Sequence, residues 1–146
     1  MANYYRVKNG NWDLAESWAT TSGGSTYYAN PPTSADNVFF DANTPNGTHT
    51  INTTAYCNNF TMTGFTGTLA GSGSVKFYGN VIIDGTFSHY GYWIDEASSG
   101  TQYFNSGGKN INGLFIEKGG NLYLASDISI THVTGICVKG GSTFHT

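Results

Sequence analysis

The carboxylates of this 146-residue chain are the first candidates for catalysis, because two of its nine acidic residues, Asp95 and Glu96, are adjacent. Enzymes that cleave glycosidic bonds need two carboxyl groups facing one groove, roughly 5 to 10 Å apart. Adjacent residues of a strand point to opposite faces, so this pair does not meet that requirement on a strand. Asp36 and Asp41 flank the apolar run NVFF, where acidic residues more often form local turns. The sequence therefore predicts no catalytic residue.

The aromatic side chains near the two acids are the best candidates for binding. They lie in the segment FSHYGYWIDEASSGTQYF, interleaved with glycine and serine. Flat rings pack against sugar faces, and tyrosine adds a polar tip, so such segments are typical of carbohydrate or protein contact surfaces. The same rings could instead cover a subunit interface or pack locally. The partner- or glycan-binding candidates are Tyr90, Tyr92, Trp93, Tyr103 and Phe104.

Other kinds of site lack their sequence signatures. The chain contains no G-x-S-x-G, no G-x-x-x-x-G-K, no H-E-x-x-H and no C-x-x-C. Cys57 and Cys137 are eighty residues apart without metal-ligand spacing, which favours two reduced, buried thiols, with a disulfide as the alternative. We expect no metal and no cofactor.

Composition indicates a folded chain that binds neither nucleic acid nor membrane. Only 10% of the residues are charged, 38% are apolar, and the net charge is −3. The six lysines and arginines are scattered, which excludes the basic patch expected of a nucleic-acid-binding protein. No apolar run of eighteen residues occurs, and the first ten residues do not resemble a secretory signal. We expect synthesis in a host cytoplasm without a signal peptide.

The elements that must position these residues are short strands. Twenty glycines and 15% aromatic residues accompany frequent apolar alternation, and no window shows the three- and four-residue spacing of a long amphipathic helix. The sequence therefore predicts an all-β fold. The inward-facing pairs are Phe60 and Met62, Val75 and Phe77, Leu114 and Ile116, Leu122 and Leu124, Ile128 and Ile130, and Ile136 and Val138.

A repeat of about 22 residues decides the architecture. The segment from Ile116 to Leu122 corresponds to that from Val138 to Phe144, with both ends displaced by 22 residues. This spacing predicts a right-handed parallel β-helix, a solenoid whose coils bury each other's apolar rows. A jelly-roll β-sandwich is the alternative, because it shows the same alternation.

The repeat also sets the predicted organisation of the chain. The motif N-x-F-x-M at 58–62 aligns with N-x-L-x-I at 112–116, which is not a whole number of 22-residue steps. This alignment predicts an aromatic insertion at about 87–104. We expect a cap or lead-in over residues 1–41 and solenoid coils over residues 42–146.

Two tryptophans in the lead-in suggest how one end is closed. Asp13 and Glu16 have the spacing of a capping box, which predicts one short helical turn between Trp12 and Trp18. Such a turn would place both indoles over an apolar end of the β structure.

The lead-in also resembles a known family. It contains GNW at 10–12, SWATTSGGS at 17–25 and PPTSADNVFFDAN at 31–43, followed by CNNFTMTGFTGTLAGSGSVKFYGNV at 57–81. This ordered set is similar to the opening of phage and phage-derived β-solenoid structural proteins, over roughly the first eighty residues. The resemblance implies a virion component: a head decoration, a fibre or a tail adhesin.

We therefore expect a non-enzymatic phage virion structural protein, a capsid decoration or cement protein or a fibre component, located in the virion. Its expected partners are further copies of itself, as a trimer, and another virion protein such as the major capsid protein or a tail protein. The first alternative is a tail-fibre-type adhesin that binds a glycan. The second is a fragment of a polysaccharide lyase or hydrolase.

Overall fold

Nearly every element of the chain is a short strand. A computed structural model describes residues 1–131 and 135–146. In this part of the chain there is no α-helix, only a 3-10 helix at Ala15–Ser17, and no helix long and apolar enough to cross a membrane. The strands are β1 (Asn3–Arg6), β2 (Gly10–Asn11), β3 (Trp18–Ala19), β4 (Asn37–Phe40), β5 (Thr48–Ile51), β6 (Ala55–Cys57), β7 (Phe60–Met62), β8 (Thr68–Gly71), β9 (Val75–Phe77), β10 (Val81–Ile83), β11 (Thr86–His89), β12 (Tyr92–Asp95), β13 (Thr101–Asn105), β14 (Asn110–Ile111), β15 (Gly113–Ile116), β16 (Asn121–Leu124), β17 (Ser129–Ile130), β18 (Ile136–Val138) and β19 (Thr143–His145).

The strands form a β-solenoid of about five turns, as the repeat predicts. The central turns each contribute one strand to each of three walls, and strands of neighbouring turns pair in parallel. At the first end β3 pairs antiparallel with β1. The first wall is an eight-stranded sheet ordered β19-β16-β13-β10-β7-β4-β1-β3. The second is a four-stranded sheet ordered β11-β8-β5-β2, and the third is a five-stranded sheet ordered β18-β15-β12-β9-β6. Strands β14 and β17 form a separate two-stranded sheet.

The core is built from inward-facing rows that stack along the solenoid axis. Ile116 pairs with Val138 and Leu122 pairs with Phe144, so the predicted 22-residue step is confirmed for the last turns. In the first wall Val38, Phe60 and Val81 are consecutive rungs, and all three are fully buried. Aromatic rings join the walls across the interior. The Phe60 ring lies 5.1 Å from the Trp93 ring in an edge-to-face arrangement that adds to its apolar burial.

The aromatic insertion predicted at 87–104 is not present. Strands β11, β12 and β13 span this region and pair in register with strands of the adjacent turns. The misleading alignment matched Phe60 to Leu114, but Phe60 lies in the first wall and Leu114 in the third. Alternation is the same in every wall, so it does not identify the wall. Turn length also varies: Val75 pairs with Trp93, eighteen residues later.

The predicted lead-in contains the first turn of the solenoid. Strands β1 and β4, both within residues 1–41, pair with each other in parallel, and β2 pairs with β5. The short helical turn is confirmed as the 3-10 helix, but no side chain caps it, so the predicted capping box is wrong. The Trp12 and Trp18 rings meet edge to face at 4.7 Å, and both side chains are buried. They close this end of the core, as expected.

An asparagine row runs along the outside of the first wall and ties four turns together. The side chain of Asn37 donates to that of Asn3 at 3.0 Å, and the side chain of Asn59 donates to that of Asn37 at 2.9 Å. The Asn59 side-chain oxygen accepts the Asn80 backbone N–H at 2.7 Å, and the Asn80 oxygen accepts that of Tyr103 at 2.9 Å. We call these four asparagines the Asn row.

The two cysteines are free thiols, as the sequence predicts. Cys57 is fully buried, and burial raises the pKa of its thiol, whereas Cys137 is only partly buried. They lie in the first and last strands of the five-stranded wall. Four strand spacings separate them by about 19 Å, too far for a disulfide within one chain.

Close packing around a glycine at a corner of the solenoid predicts how a substitution there changes stability. Gly71 has a φ of 108°, and a Cβ there would lie 2.3 Å from the carbonyl oxygen of Ile51 in the preceding turn. Gly71→Ala should therefore lower the free energy of unfolding by about 2 kcal/mol or more, through backbone strain and overpacking. Denaturant unfolding measures this change. Gly140→Ala is the matched control, because a Cβ at Gly140 meets nothing within 4 Å. Equal stability of the two variants would contradict the close contact between turns.

Candidate functional site

The five predicted binding residues do not form one cluster, and two of them are in the core. Trp93 and Phe104 are both fully buried, with ring centroids 5.6 Å apart. Each occupies an inward-facing position, Trp93 between Val75 and Leu114 in neighbouring turns and Phe104 beside Val81. Their assignment as binding residues is therefore corrected. Their role is to hold adjacent turns together.

Two other predicted residues face outward, but from different walls. Tyr92 lies on the five-stranded wall, where its ring meets that of Phe115 edge to face at 5.0 Å. Tyr103 lies on the eight-stranded wall and is half exposed. Its ring begins an outer ladder: it lies 5.7 Å from the Tyr123 ring, which stacks on His145 at 4.0 Å. Because stacked rings cover each other's faces, Tyr123 and His145 each have one ring face covered by the other.

Tyr90, a further predicted residue, lies at a cavity. Its side chain is 72% exposed, at the corner between β11 and β12. The cavity is a groove of about 300 Å³, which we call the β11 groove. Sequence reasoning missed the other residues that line it, since none of them has a distinctive motif. The lining residues are Phe87, Ser88, His89, Tyr90, Asn110, Asn112 and Thr131.

The β11 groove exists because the second wall is interrupted. Strand β11 is the last strand of the four-stranded sheet, and the strand that follows in the next turn, β14, pairs with β17 in a separate sheet. Before β14, Gly107 and Gly108 both have positive φ, 58° and 72°, and turn the chain sharply. The hydrogen-bond ladder therefore stops at β11, and the gap between β11 and β14 opens to solvent. The Asn112 side-chain amide reaches across it and donates to the Tyr90 carbonyl oxygen at 2.7 Å.

His89 is the most constrained polar side chain of the groove. It is only 4% exposed, and its Nε2–H donates to the Gly73 carbonyl oxygen at 2.7 Å. This contact fixes the neutral tautomer with a lone pair on Nδ1, and burial lowers the pKa of the imidazole. Nδ1 has no hydrogen-bond partner among residues 1–131 and 135–146. The arrangement provides one buried acceptor.

The adjacent acids Asp95 and Glu96 have opposite environments. Asp95 points into the core and is fully buried, and one of its oxygens accepts the Ala97 backbone N–H at 2.9 Å. Burial raises the pKa of Asp95 from 3.8 to about 6. Glu96 is ion-paired with Lys76 at 2.5 Å and Lys118 at 2.7 Å. Burial disfavours its ionisation, but the two lysines outweigh burial and lower its pKa.

The carboxyl groups of Asp95 and Glu96 therefore do not face a common groove. Asp95 lies inside the solenoid, and both oxygens of Glu96 are engaged by lysines. The described residues also contain no group of three His, Cys, Asp or Glu side chains that could hold a metal ion. What the described surface offers is a small uncharged groove and exposed rings, which suit binding.

The buried carboxyl of Asp95 predicts a pH-dependent effect on stability. Because its pKa is raised in the folded chain, its contribution is fully present below the ordinary value near 3.8 and is lost as pH rises through about 6. Asp95→Asn retains the shape and the Ala97 contact without the charge. Relative to the parent chain, this variant should gain about 1 to 3 kcal/mol of stability between pH 4 and pH 7. Denaturant unfolding at several pH values measures the difference, and a pH-independent difference would contradict it.

Comparison of the chain with protein-family models, with curated proteins and with solved structures found no match in any of the three.

Proposed function

We propose that the chain is a non-enzymatic structural protein of a phage virion, a capsid decoration or cement protein or a fibre component that attaches to a virion surface. The resemblance of its opening motifs to phage β-solenoid proteins supports the phage assignment. Residues of those motifs have structural roles in this fold. Trp12 of the GNW motif and Trp18 of the SGG run close one end of the core. Asp36 of the PPTSADNV element accepts the Ala2 backbone N–H at 3.0 Å.

The observation that carries this proposal is the difference between the two ends of the solenoid. The end at β1 is covered by buried indoles. At the other end, Val138 is 43% exposed, although its partner Ile116 in the preceding turn is fully buried. Ile136 and Phe144 are only partly buried, whereas their partners Leu114 and Leu122 are fully buried. We call this surface the open end.

An apolar open end with unpaired strand edges is a surface that folded proteins rarely leave uncovered. We infer that further protein surface packs on the open end, and we propose that in the virion a second copy of this chain or a capsid or tail protein contributes to it. A trimer is the expected self-assembly. Lysines give little support to a nucleic-acid partner, because Lys76, Lys118 and Lys139 are all engaged in ion pairs with glutamates.

The alternatives have less support. A lyase or hydrolase acting through Asp95 and Glu96 would need a groove that both carboxylates face, and their positions do not provide one. A glycan-binding adhesin cannot use Trp93 or Phe104, which are in the core. It would retain Tyr90 at the β11 groove, and binding there is compatible with a structural role.

The proposal predicts that the native assembly is larger than one chain and depends on the open end. Native mass spectrometry should find about three times the 15.6 kDa of the chain. Val138→Glu places a charge on the open end and should disrupt the assembly, because burying an unpaired carboxylate is costly. Ile82→Glu is the matched control, since Ile82 is 41% exposed on the outside of the first wall. That variant should assemble normally.

Attachment to virions provides the second measurement. The parent chain and Ile82→Glu should co-sediment with phage capsids or tails, and Val138→Glu should remain in the supernatant. A monomeric parent chain that sediments with neither capsids nor tails would overturn the structural role. Disruption by both variants equally would show that the open end is not the attachment surface.

A further inference from the structure

Two polar side chains, Arg6 and His49, lie inside the solenoid at the end that Trp12 and Trp18 cover, which we call the closed end. Each of the two is only 1% exposed. Nε of Arg6 donates to Nδ1 of His49 at 3.1 Å. The guanidinium also lies 4.9 Å from the centre of the Trp18 indole, in a cation–π contact. The pair therefore belongs to the packing that closes this end.

We propose that the Arg6–His49 pair is an acid-sensitive switch: protonation of His49 breaks the pair and opens the closed end. This inference does not depend on the virion role, and it concerns the opposite end of the solenoid from the open end.

The hydrogen bonds of His49 fix where a further proton would bind. Its Nε2 lies 2.9 Å from the Pro45 carbonyl oxygen, which can only accept, so Nε2 carries the proton of the neutral ring. Nδ1 accepts from Arg6, because a guanidinium can only donate. A second proton would therefore bind at Nδ1. There it would turn the acceptor into a donor that faces the Arg6 N–H, and it would place two positive charges on nitrogens 3.1 Å apart.

The elements packed around His49 are apolar or uncharged. The rings of Phe40 in β4 and Phe65 after β7 meet the imidazole edge to face at 5.6 and 5.2 Å. The ladder partners of His49 are Gly10 in β2 and Leu69 in β8. None of these four residues carries a charge that would stabilise an imidazolium.

The charged groups near His49 also disfavour its protonation. In the part of the chain that the structure describes, no carboxylate is ion-paired with Arg6 or His49, and Asp13 acts on Arg6 only from a greater distance. The Lys8 side chain lies over a tyrosine ring. Burial, and to a smaller extent the Arg6 charge, lower the pKa of His49 from 6.5 to about 4, although the carbonyl groups of Pro45 and Lys8 oppose this shift.

The direction of the pH effect follows from these protonation states. In the closed end His49 has a pKa of about 4, and in an opened end it returns to its ordinary value of 6.5. The closed form therefore binds fewer protons, so its stability is fully present above pH 6.5 and is lost as pH falls toward 4. The equilibrium constant for opening should rise about thirtyfold between pH 7.5 and pH 5.

The closed end can open by itself because short strands form it. Strands β2 and β3 contain two residues each. Nη2 of Arg6 donates to the carbonyl oxygens of Gly10 at 2.6 Å and Asn11 at 2.9 Å, both in β2. Arg6 is also the ladder partner of Trp18 in β3. Displacement of Arg6 thus removes contacts that join β1, β2 and β3, while the longer ladders of the central turns remain.

The test is amide hydrogen exchange of the full ¹⁵N-labelled chain at pH 7.5 and pH 5, expressed as protection factors. The N–H groups of Val7, Trp12 and Tyr28, which bond within the closed end, should lose about thirtyfold in protection at pH 5. At both pH values they should exchange faster than those of Phe60 and Asp84 in the central turns. Equal exchange in all turns would show that the whole chain unfolds together, and it would overturn a local switch.

His49→Gln is the variant that removes the titrating group. Glutamine stays neutral, yet it has an oxygen that can accept from Arg6 and an amide that can donate to Pro45. Its closed end should have the same protection at both pH values. His145→Gln is the matched control, because His145 lies in β19 at the other end, and it should retain the thirtyfold change of the parent chain. A pH-dependent loss that persists in His49→Gln would overturn the switch.

If His49→Gln does not fold, the parent chain decides the result through the ¹⁵N shifts of the His49 ring. These shifts should report a mostly neutral ring with its proton on Nε2 at pH 5. A ring that gains its second proton near pH 6.5, or equal protection of the closed end at pH 7.5 and pH 5, would overturn the proposal. Val138→Glu should retain the pH response, and His49→Gln should attach to virions like the parent chain. Each proposal can therefore fail without the other.

Discussion

Every part of this fold depends on the burial of one turn's apolar row by the rows of its neighbours. A single turn of three short strands encloses too little volume to exclude water from both sides of its inward side chains. Burial is complete where a turn lies on each side, as for Phe60, between Val38 and Val81. The same constraint explains the two ends. At one end the indoles of Trp12 and Trp18 cover the apolar row in place of a further turn. At the other end the row is partly exposed, as Val138 shows.

The candidate site follows from a local failure of the same stacking. Where β14 departs from the line of β11, the second wall loses its ladder, and the backbone edge of β11 is left without a neighbouring strand of this sheet. His89 occupies an inward position beside this edge and is still buried, at 4% exposure. In this solenoid the walls supply rigidity, and the interruption supplies a recess with polar groups already in place. The groove is therefore a product of the turn's shape rather than of an added loop.

The sequence was sufficient for the class of fold and for the last turns, but not for the site. Alternation and the 22-residue spacing predicted stacked strands, and Leu122 does pair with Phe144. Alternation could not assign strands to walls, since each wall has the same pattern. It also could not resolve the adjacent aromatic pairs Tyr92-Trp93 and Tyr103-Phe104, in which the first ring faces out and the second faces in. The groove depends on the lack of pairing between β11 and β14, and a local sequence pattern does not predict which strands fail to pair.

The Asn row has a consequence for how the turns find their alignment during folding. Strands whose inward and outward residues alternate can slide by two positions and still bury apolar side chains, so hydrophobic burial alone tolerates some wrong pairings. The side-chain amides of Asn3, Asn37 and Asn59 form these bonds only when the four asparagines, including Asn80, occupy the same position along their strands. The row thus penalises slippage in the early turns. Beyond Asn80 the tilted rings of Tyr103 and Tyr123, 5.7 Å apart, take its place. Such a ring contact is far less exacting about position along the strand than an amide hydrogen bond.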